Sequence, residues 1–351
     1  MEPSEFLDKL VFPAFLVQDG QIIHANIAAL ERNVAIGSCI ADIISVGNQE
    51  YQVFTQGKLC LTLKINEMTY HANVSVLENA HLFSLETEYS NPQLRVLALA
   101  AEQLRGPLSN AFAGTELLSD TIPADSETKE HLAQVNHSLY QLLRMVSNMS
   151  DTVLYHAEQM RNLETIEMVS KFEEILEKAS ALSEKAKKHI TFTLPNNKVF
   201  SMSDIQKLER GILNMLSNAL RYSPANSEIS AKLSVMNNRL FFTVENPLSQ
   251  AFSNEPFFRY LREPALTWGQ SGIGLGLSII RSVATAHEGT VLMELTDQNT
   301  VRFTMTIAIR EKNTTMLRSP ILLPTDYAGG KDRTLLELSD ILPYQLYSDM
   351  D

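Results

Sequence analysis

Two helix-period stretches between residues 94 and 153 constrain this chain more than anything else in it. Apolar residues recur at Leu94, Leu97, Ala101, Leu104, Leu108, Ala111 and Leu118 in steps built from three and four, which sets them along one seam of an α-helix. The pattern returns at Leu132, Val135, Leu139, Leu142, Val146, Met149 and Val153. The turn-like TIPADSE lies between the two, so the helices fold back on each other as an antiparallel hairpin. Two such seams want more partners than one chain supplies. A homodimeric four-helix bundle satisfies both; a hairpin packed on its own neighbours is the alternative.

On either side the period changes. Residues 1–90 alternate short β-like runs, FLVQDGQIIHAN, KLCLTLKI, HANVSVLE and HLFSLETEY, with turn signals such as Asp19-Gly20. They predict a small α+β sheet domain. Residues 163–310 mix two helical patterns, MVSKFEEILEKASALSEKAKK and SDIQKLERGILNMLSNALRY, with the strands HITFTLP, EISAKLSV, RLFFTVEN, GTVLMELT and TVRFTMTIAI. That mixture predicts a two-layer α/β sandwich. The stretch 311–351 opens on a polar joint, EKNTTM, and ends in the amphipathic TLLELSDILPYQLY, suited to dock on the body or on a partner. The expected divisions are therefore 1–90, 91–162, 163–310 and 311–351.

At 351 residues the chain exceeds one ordinary domain, and a net charge of −12 offers no footprint for nucleic acid or an anionic membrane. Cys39 and Cys60 have no metal-ligand spacing and are too few for a disulfide framework, which fits a reducing interior. No apolar run approaches the roughly 18 residues of a membrane span. MEPSEFLDKL lacks the basic start of a secretion signal. The expectation is a cytoplasmic protein that reads a soluble ligand or protein at its N-terminal domain.

Two segments carry chemistry. In ILNMLSNALRYSP, Asn214 and Asn218 lie one helical turn apart and face one way, with Arg221 and Tyr222 following. Carboxamides so placed can ligate a hydrated Mg²⁺ and phosphate oxygens, with a cation nearby for charge; they can equally be helix-surface residues. In SGIGLGLSII, Gly272, Gly274 and Gly276 leave backbone N–H groups open before a helix, which suits phosphate oxygens but also suits tight packing.

In this order the two segments resemble the N box and G2 box of the histidine-kinase ATP-binding domain, the fold shared with gyrase, the heat-shock chaperone of that class and the mismatch-repair ATPases. PFFRY (256–260) resembles the F box between them, and PAFLVQDGQIIHANIAALE resembles the opening of a PAS domain, where a hairpin leads to Asn26 and a short helix. The resemblance implies a sensor histidine kinase: a PAS-like sensor, a dimerising hairpin, and an ATPase sandwich that binds ATP and Mg²⁺. It implies that Asn214 and Asn218 hold Mg²⁺ and phosphate, that Arg221 and Tyr222 line the nucleotide, and that Gly272, Gly274 and Gly276 close over the phosphates. It also implies a response regulator or another kinase as partner.

The chain departs from that family at its chemistry. Where the family carries a motif of the type His-Glu-Leu-Arg-Thr-Pro-Leu, this chain reads Glu102-Gln103-Leu104-Arg105-Gly106-Pro107-Leu108. The phosphoacceptor imidazole is replaced by a carboxylate and the adjacent acid by an amide that cannot act as a base. No histidine occurs between His81 and His131, and His131, His137 and His156 read as ordinary helix residues. The G1 box is altered too: Asn246 aligns with the Asp that accepts from the adenine amino group, and Pro247 and Leu248 stand in place of a glycine-bearing loop. Two readings follow: a pseudokinase with residual nucleotide affinity that regulates partners through its dimeric scaffold, or an active kinase with a non-standard acceptor such as Glu102.

Overall fold

The computed structural model describes residues 6–77, 79–86, 92–123, 127–154, 163–249, 275–296, 299–310 and 327–348. In the N-terminal part, strands β1 (Ala14–Gln18), β2 (Gln21–Ala25), β3 (Ile44–Val46), β4 (Lys58–Ile65), β5 (Met68–Leu77) and β6 (Ala80–Glu86) are joined by α1 (Ile27–Leu30) and α2 (Asn48–Gln52). The Asp19-Gly20 turn signal is real. Both residues have positive φ, 50° and 77°, and they close the two-residue hairpin between Gln18 and Gln21. Asn26 caps α1 by accepting from the Ala29 amide, and its side-chain nitrogen ties down the Leu10 and Phe12 carbonyls.

The hairpin follows as α3 (Pro92–Ser119), which runs on through Pro107, and α4 (Glu127–Leu154). Each seam read from the sequence divides in two. Ala101, Leu108, Leu132 and Val146 are buried in the fold, whereas Leu104, Leu118, Val135 and Leu142 are exposed on the outer side. The side chains of Leu94, Leu97 and Val153 lie outside the described residues.

The remainder is β7 (Glu164–Glu167), α5 (Met168–Lys185), β8 (His189–Thr193), β9 (Phe200–Ser203), α6 (Ile205–Tyr222), β10 (Glu228–Met236), β11 (Arg239–Pro247), α7 (Leu275–Ala286), β12 (Val291–Leu295), β13 (Thr300–Ala308) and α8 (Arg333–Glu337). All five strand patterns read from residues 189–309 form strands. They lie in the order β12-β13-β11-β10-β8, and α5, α6 and α7 contribute to one apolar core with them, Phe172 against Phe242 among its contacts. The ribbon β7–β9 was not legible, since four residues per strand are too few to show an alternation.

The N-terminal sheet does not end at its own edge. β4 pairs antiparallel with β12 through Val291 opposite Cys60 and Met293 opposite Lys58, so the strands run continuously as β2-β1-β6-β5-β4-β12-β13-β11-β10-β8. Backbone alone makes the closest approach: a Cβ on Gly57 would sit 2.1 Å from the Met293 carbonyl oxygen. Glu50 reinforces the joint by pairing with the Arg239 Nε at 2.8 Å. The segment 327–348 docks on the body, where Tyr347 packs on Tyr140 and the Asn136 side chain donates to the Tyr347 carbonyl. No helix among the described residues is long and apolar enough to cross a membrane.

Candidate nucleotide-binding site

The site is built on α6. Asp204 caps its first turn by accepting from the Lys207 amide, and Lys188 donates to the Leu220 and Ser223 carbonyls at its end, a cation on the negative pole of the helix. Burial holds that ammonium below its usual range. Residues at helical spacing, Met215, Asn218, Ala219 and Tyr222, form one wall of a recess of ≈ 300 Å³, its open mouth included. Val244 and Asn246 of β11 and Val301 and Phe303 of β13 form the opposite wall. They face together because Val244 pairs with Phe303 and Asn246 with Val301 across the ladder. The result is a mostly apolar slot with a few polar groups, the chemistry of a flat heterocycle site.

Asn246 is buried, and its side-chain nitrogen donates to the Pro247 carbonyl at 3.0 Å. That contact commits the nitrogen and leaves Oδ1 as the acceptor the recess can offer.

One turn above the recess, Asn214 is only 1% exposed. Its nitrogen donates to the Arg210 carbonyl at 2.9 Å and to Glu337 at 3.1 Å, while its Oδ1 has no hydrogen-bond partner among the described residues. That oxygen faces the start of α7: a Cβ on Gly276 would lie 3.0 Å from it and 3.9 Å from the Asn218 Oδ1. Glycine at 276 is what admits the approach.

The structure therefore gathers Asn214, Asn218, Tyr222, Asn246 and Gly276. Arg221 is exposed at the rim, its guanidinium 5.7 Å from the Tyr222 ring centroid and 4.0 Å from Asp340. Gly272, Gly274, PFFRY and His156 lie outside the described residues. Glu102 and Gln103 are exposed on α3, and the Glu102 carboxylate sits 3.6 Å from the Arg105 Nε one turn on.

Residues 203–311 match the family model for the histidine kinase-, DNA gyrase B- and HSP90-like ATPases. Over 314 residues the chain is 23% identical to the sensor histidine kinase CusS of Escherichia coli K12, covering 87% of this chain and 62% of that one. The chain's similarity is thus to the sensor histidine kinases. It is 28% identical over 209 residues to the sensor histidine kinase CpxA of the same organism, covering 58% of this chain and 44% of CpxA. It thus spans less than two thirds of the length of these relatives. Full-length ShkA, solved in complex with AMPPNP, superposes with a TM-score of 0.47 at 18% identity, over 62% of this chain and 46% of ShkA.

Three charged residues near Asn214 escaped the sequence reading. Arg210, fully buried, stacks over Tyr327 at 4.3 Å and donates to Asn148 at 2.9 Å. Burial pushes its guanidinium below the usual range, and Glu337 works against that. Arg144 of α4 bonds Glu337 at 3.2 Å, Asp340 at 2.6 Å and Ser217 at 2.8 Å. Arg210 could have been found by counting one turn back from Asn214. Arg144 and Glu337 are 193 residues apart in sequence, and no local pattern joins them. His137, read as an ordinary helix residue, contacts the Ser339 carbonyl at 2.6 Å and packs on Tyr347.

Proposed function

We propose that this chain is a pseudokinase of the two-component type, which retains a nucleotide site but has lost autophosphorylation, and which regulates partners through a dimeric scaffold. The observation that carries it is the contrast between two sites. The recess beside α6 keeps an apolar slot and the Asn246 acceptor, and one turn above it the buried Asn214 Oδ1 has no hydrogen-bond partner among the described residues. The motif on α3 has an exposed glutamate paired with Arg105 and an amide in place of its base.

ATP and Mg²⁺ fit the residues present. A buried carboxamide oxygen with no partner among the described residues is a hard ligand of the type Mg²⁺ takes, and the first turn of α7 at Gly276 offers backbone N–H groups to phosphate. When bound, Mg²⁺ would neutralise polyphosphate charge, held by Asn214. Asn218 and Tyr222 would flank the nucleotide, Asn246 would accept from the adenine amino group, Arg221 would add charge at the rim, and Gly272, Gly274 and Gly276 would close over the phosphates.

The N-terminal strand order β2-β1-β6-β5-β4, with Asn26 capping α1 after the first hairpin, supports a PAS-like sensor for a soluble ligand or protein. The exposed apolar residues Leu104, Leu118, Val135 and Leu142 support pairing of two hairpins into a four-helix bundle. A response regulator or another kinase is the proposed recipient of the signal, in the cytoplasm.

The test is incubation of the purified chain with γ-labelled ATP and Mg²⁺, wild type beside Glu102→Ala, with bound nucleotide and acid-labile label both measured. Nucleotide bound without label is the expected outcome. Label that disappears with Glu102→Ala would make the chain an active kinase with a carboxylate acceptor and overturn the pseudokinase reading.

A further inference from the structure

Glu337 ends α8, and its carboxylate is fully buried where three parts of the chain meet. Arg144 of the hairpin bonds its Oε2 at 3.2 Å, the Asn214 side-chain nitrogen donates to the same oxygen at 3.1 Å, and the Arg210 Nε lies 3.5 Å from Oε1. The helix that carries it is anchored at its other end, where Asp332 accepts from the Thr334 and Leu335 amides.

The contact decides the orientation of one amide. Asn214 has two neighbours on its nitrogen side, the Glu337 carboxylate and the Arg210 carbonyl, and both are acceptors only. The carboxamide therefore has one admissible sense, nitrogen toward Glu337 and oxygen toward Gly276. With the Arg210 carbonyl alone, the broad terminal torsion of asparagine would leave that oxygen free to swing. A carboxylate also suits the place electrostatically. Arg144 and Arg210 are both buried beside Asn214, and two cations there would repel a divalent metal unless an anion stood among them.

We infer that Glu337 is a positioning residue for the metal half of the nucleotide site: the C-terminal segment fixes the Asn214 carboxamide with Oδ1 aimed at the start of α7, where it ligates Mg²⁺ on the bound polyphosphate. The inference rests on the nucleotide reading above. It gives residues 327–348 a task in binding, and it makes the site one to which the hairpin, the sandwich and the C-terminal segment all contribute.

The experiment is calorimetric titration of AMPPNP into the full chain, in excess Mg²⁺ and in EDTA, for wild type, Glu337→Ala and Glu337→Gln, each shown by a thermal melt to be folded at the assay temperature. The wild type is expected to bind more tightly with Mg²⁺ than without. Loss of a group that orients a metal ligand costs about tenfold or more in metal affinity, so Glu337→Ala should remove about that much of the Mg²⁺-dependent gain while leaving the EDTA affinity unchanged. Glu337→Gln, which keeps an acceptor oxygen of the same reach, should restore part of it. A merely structural pin would weaken binding equally with and without Mg²⁺, and that result, or an undiminished Mg²⁺ gain in Glu337→Ala, overturns the inference while leaving the nucleotide reading intact. Should neither variant fold, amide exchange on the wild type decides. Slower exchange at 334–338 with Mg²⁺-AMPPNP than with AMPPNP in EDTA supports the inference, and no difference overturns it. A wild type that binds no AMPPNP at millimolar concentration removes both readings.

Discussion

His287 ties the end of α7 to the start of α6: its Nδ1 lies 2.8 Å from the Val283 carbonyl, and its Nε2 lies 3.3 Å from the Asp204 amide. The second contact needs an unprotonated Nε2, so the folded protein wants a neutral ring. Burial pushes its pKa from 6.5 down to about 4, against the smaller opposing pull of the Val283 carbonyl. Below pH 6.5 the unfolded chain takes up a proton that the folded chain refuses. Stability is therefore full above that pH and drains as pH falls from 6.5 toward 4, by up to about 3 kcal/mol. Urea midpoints measured at pH 7 and pH 5 should show the fall, and His287→Leu should flatten it from a lower starting stability. Equal pH dependence in both proteins would show that other groups govern it. At this scale helical spacing showed that Asn214 and Asn218 share a face, and the resemblance to the family's boxes pointed to Tyr222 and Asn246. The sequence could not show Glu337, whose partners are set by where a distant segment docks.

Helix seams were legible as seams but not as destinations. A three-four spacing marks the apolar side of a helix, and in α3 and again in α4 the same spacing serves two surfaces, one buried inside the chain and one exposed. Leu104 and Leu118 lie two heptads apart on the outer line of α3, and Val135 and Leu142 one heptad apart on that of α4. Charge on that line should cost association and little else. Leu142→Glu, with Val135→Glu as a second site, is expected to turn a dimer at micromolar concentration into a monomer by sedimentation velocity, with the thermal midpoint nearly unchanged because both positions are exposed. A wild type that already sediments as a monomer would sink the bundle. The five strands of the sandwich were legible because each is long enough to alternate, as the burial of every second residue of β11 shows.

For the molecule as a whole, the joint between β4 and β12 was invisible in the sequence. Neither strand carries a residue type that names its partner, and nothing local in the sequence marks Gly57 as the point of closest approach. Its φ of +84° and the 2.1 Å that a Cβ would leave to the Met293 carbonyl make it the hinge point of the docking. Gly57→Val should open the joint, lowering stability by more than about 2 kcal/mol in a urea titration and exposing amides of 58–60 and 291–293 to exchange. Protection unchanged at those amides would mean that the two halves dock by other contacts.

The same joint bears on how the protein escapes sticking to itself. A strand with an unpaired side is a template for any other strand, and β4 and β12 each cover such a side on the other. Cut between its halves, the chain would present two raw edges, one on Leu59 and Cys60 and one on Val291 and Leu292, both apolar and both shaped to receive a neighbour. Joined, those edges disappear into a single ribbon of strands, so fastening the N-terminal sheet to the sandwich also removes two sites where a foreign strand could add.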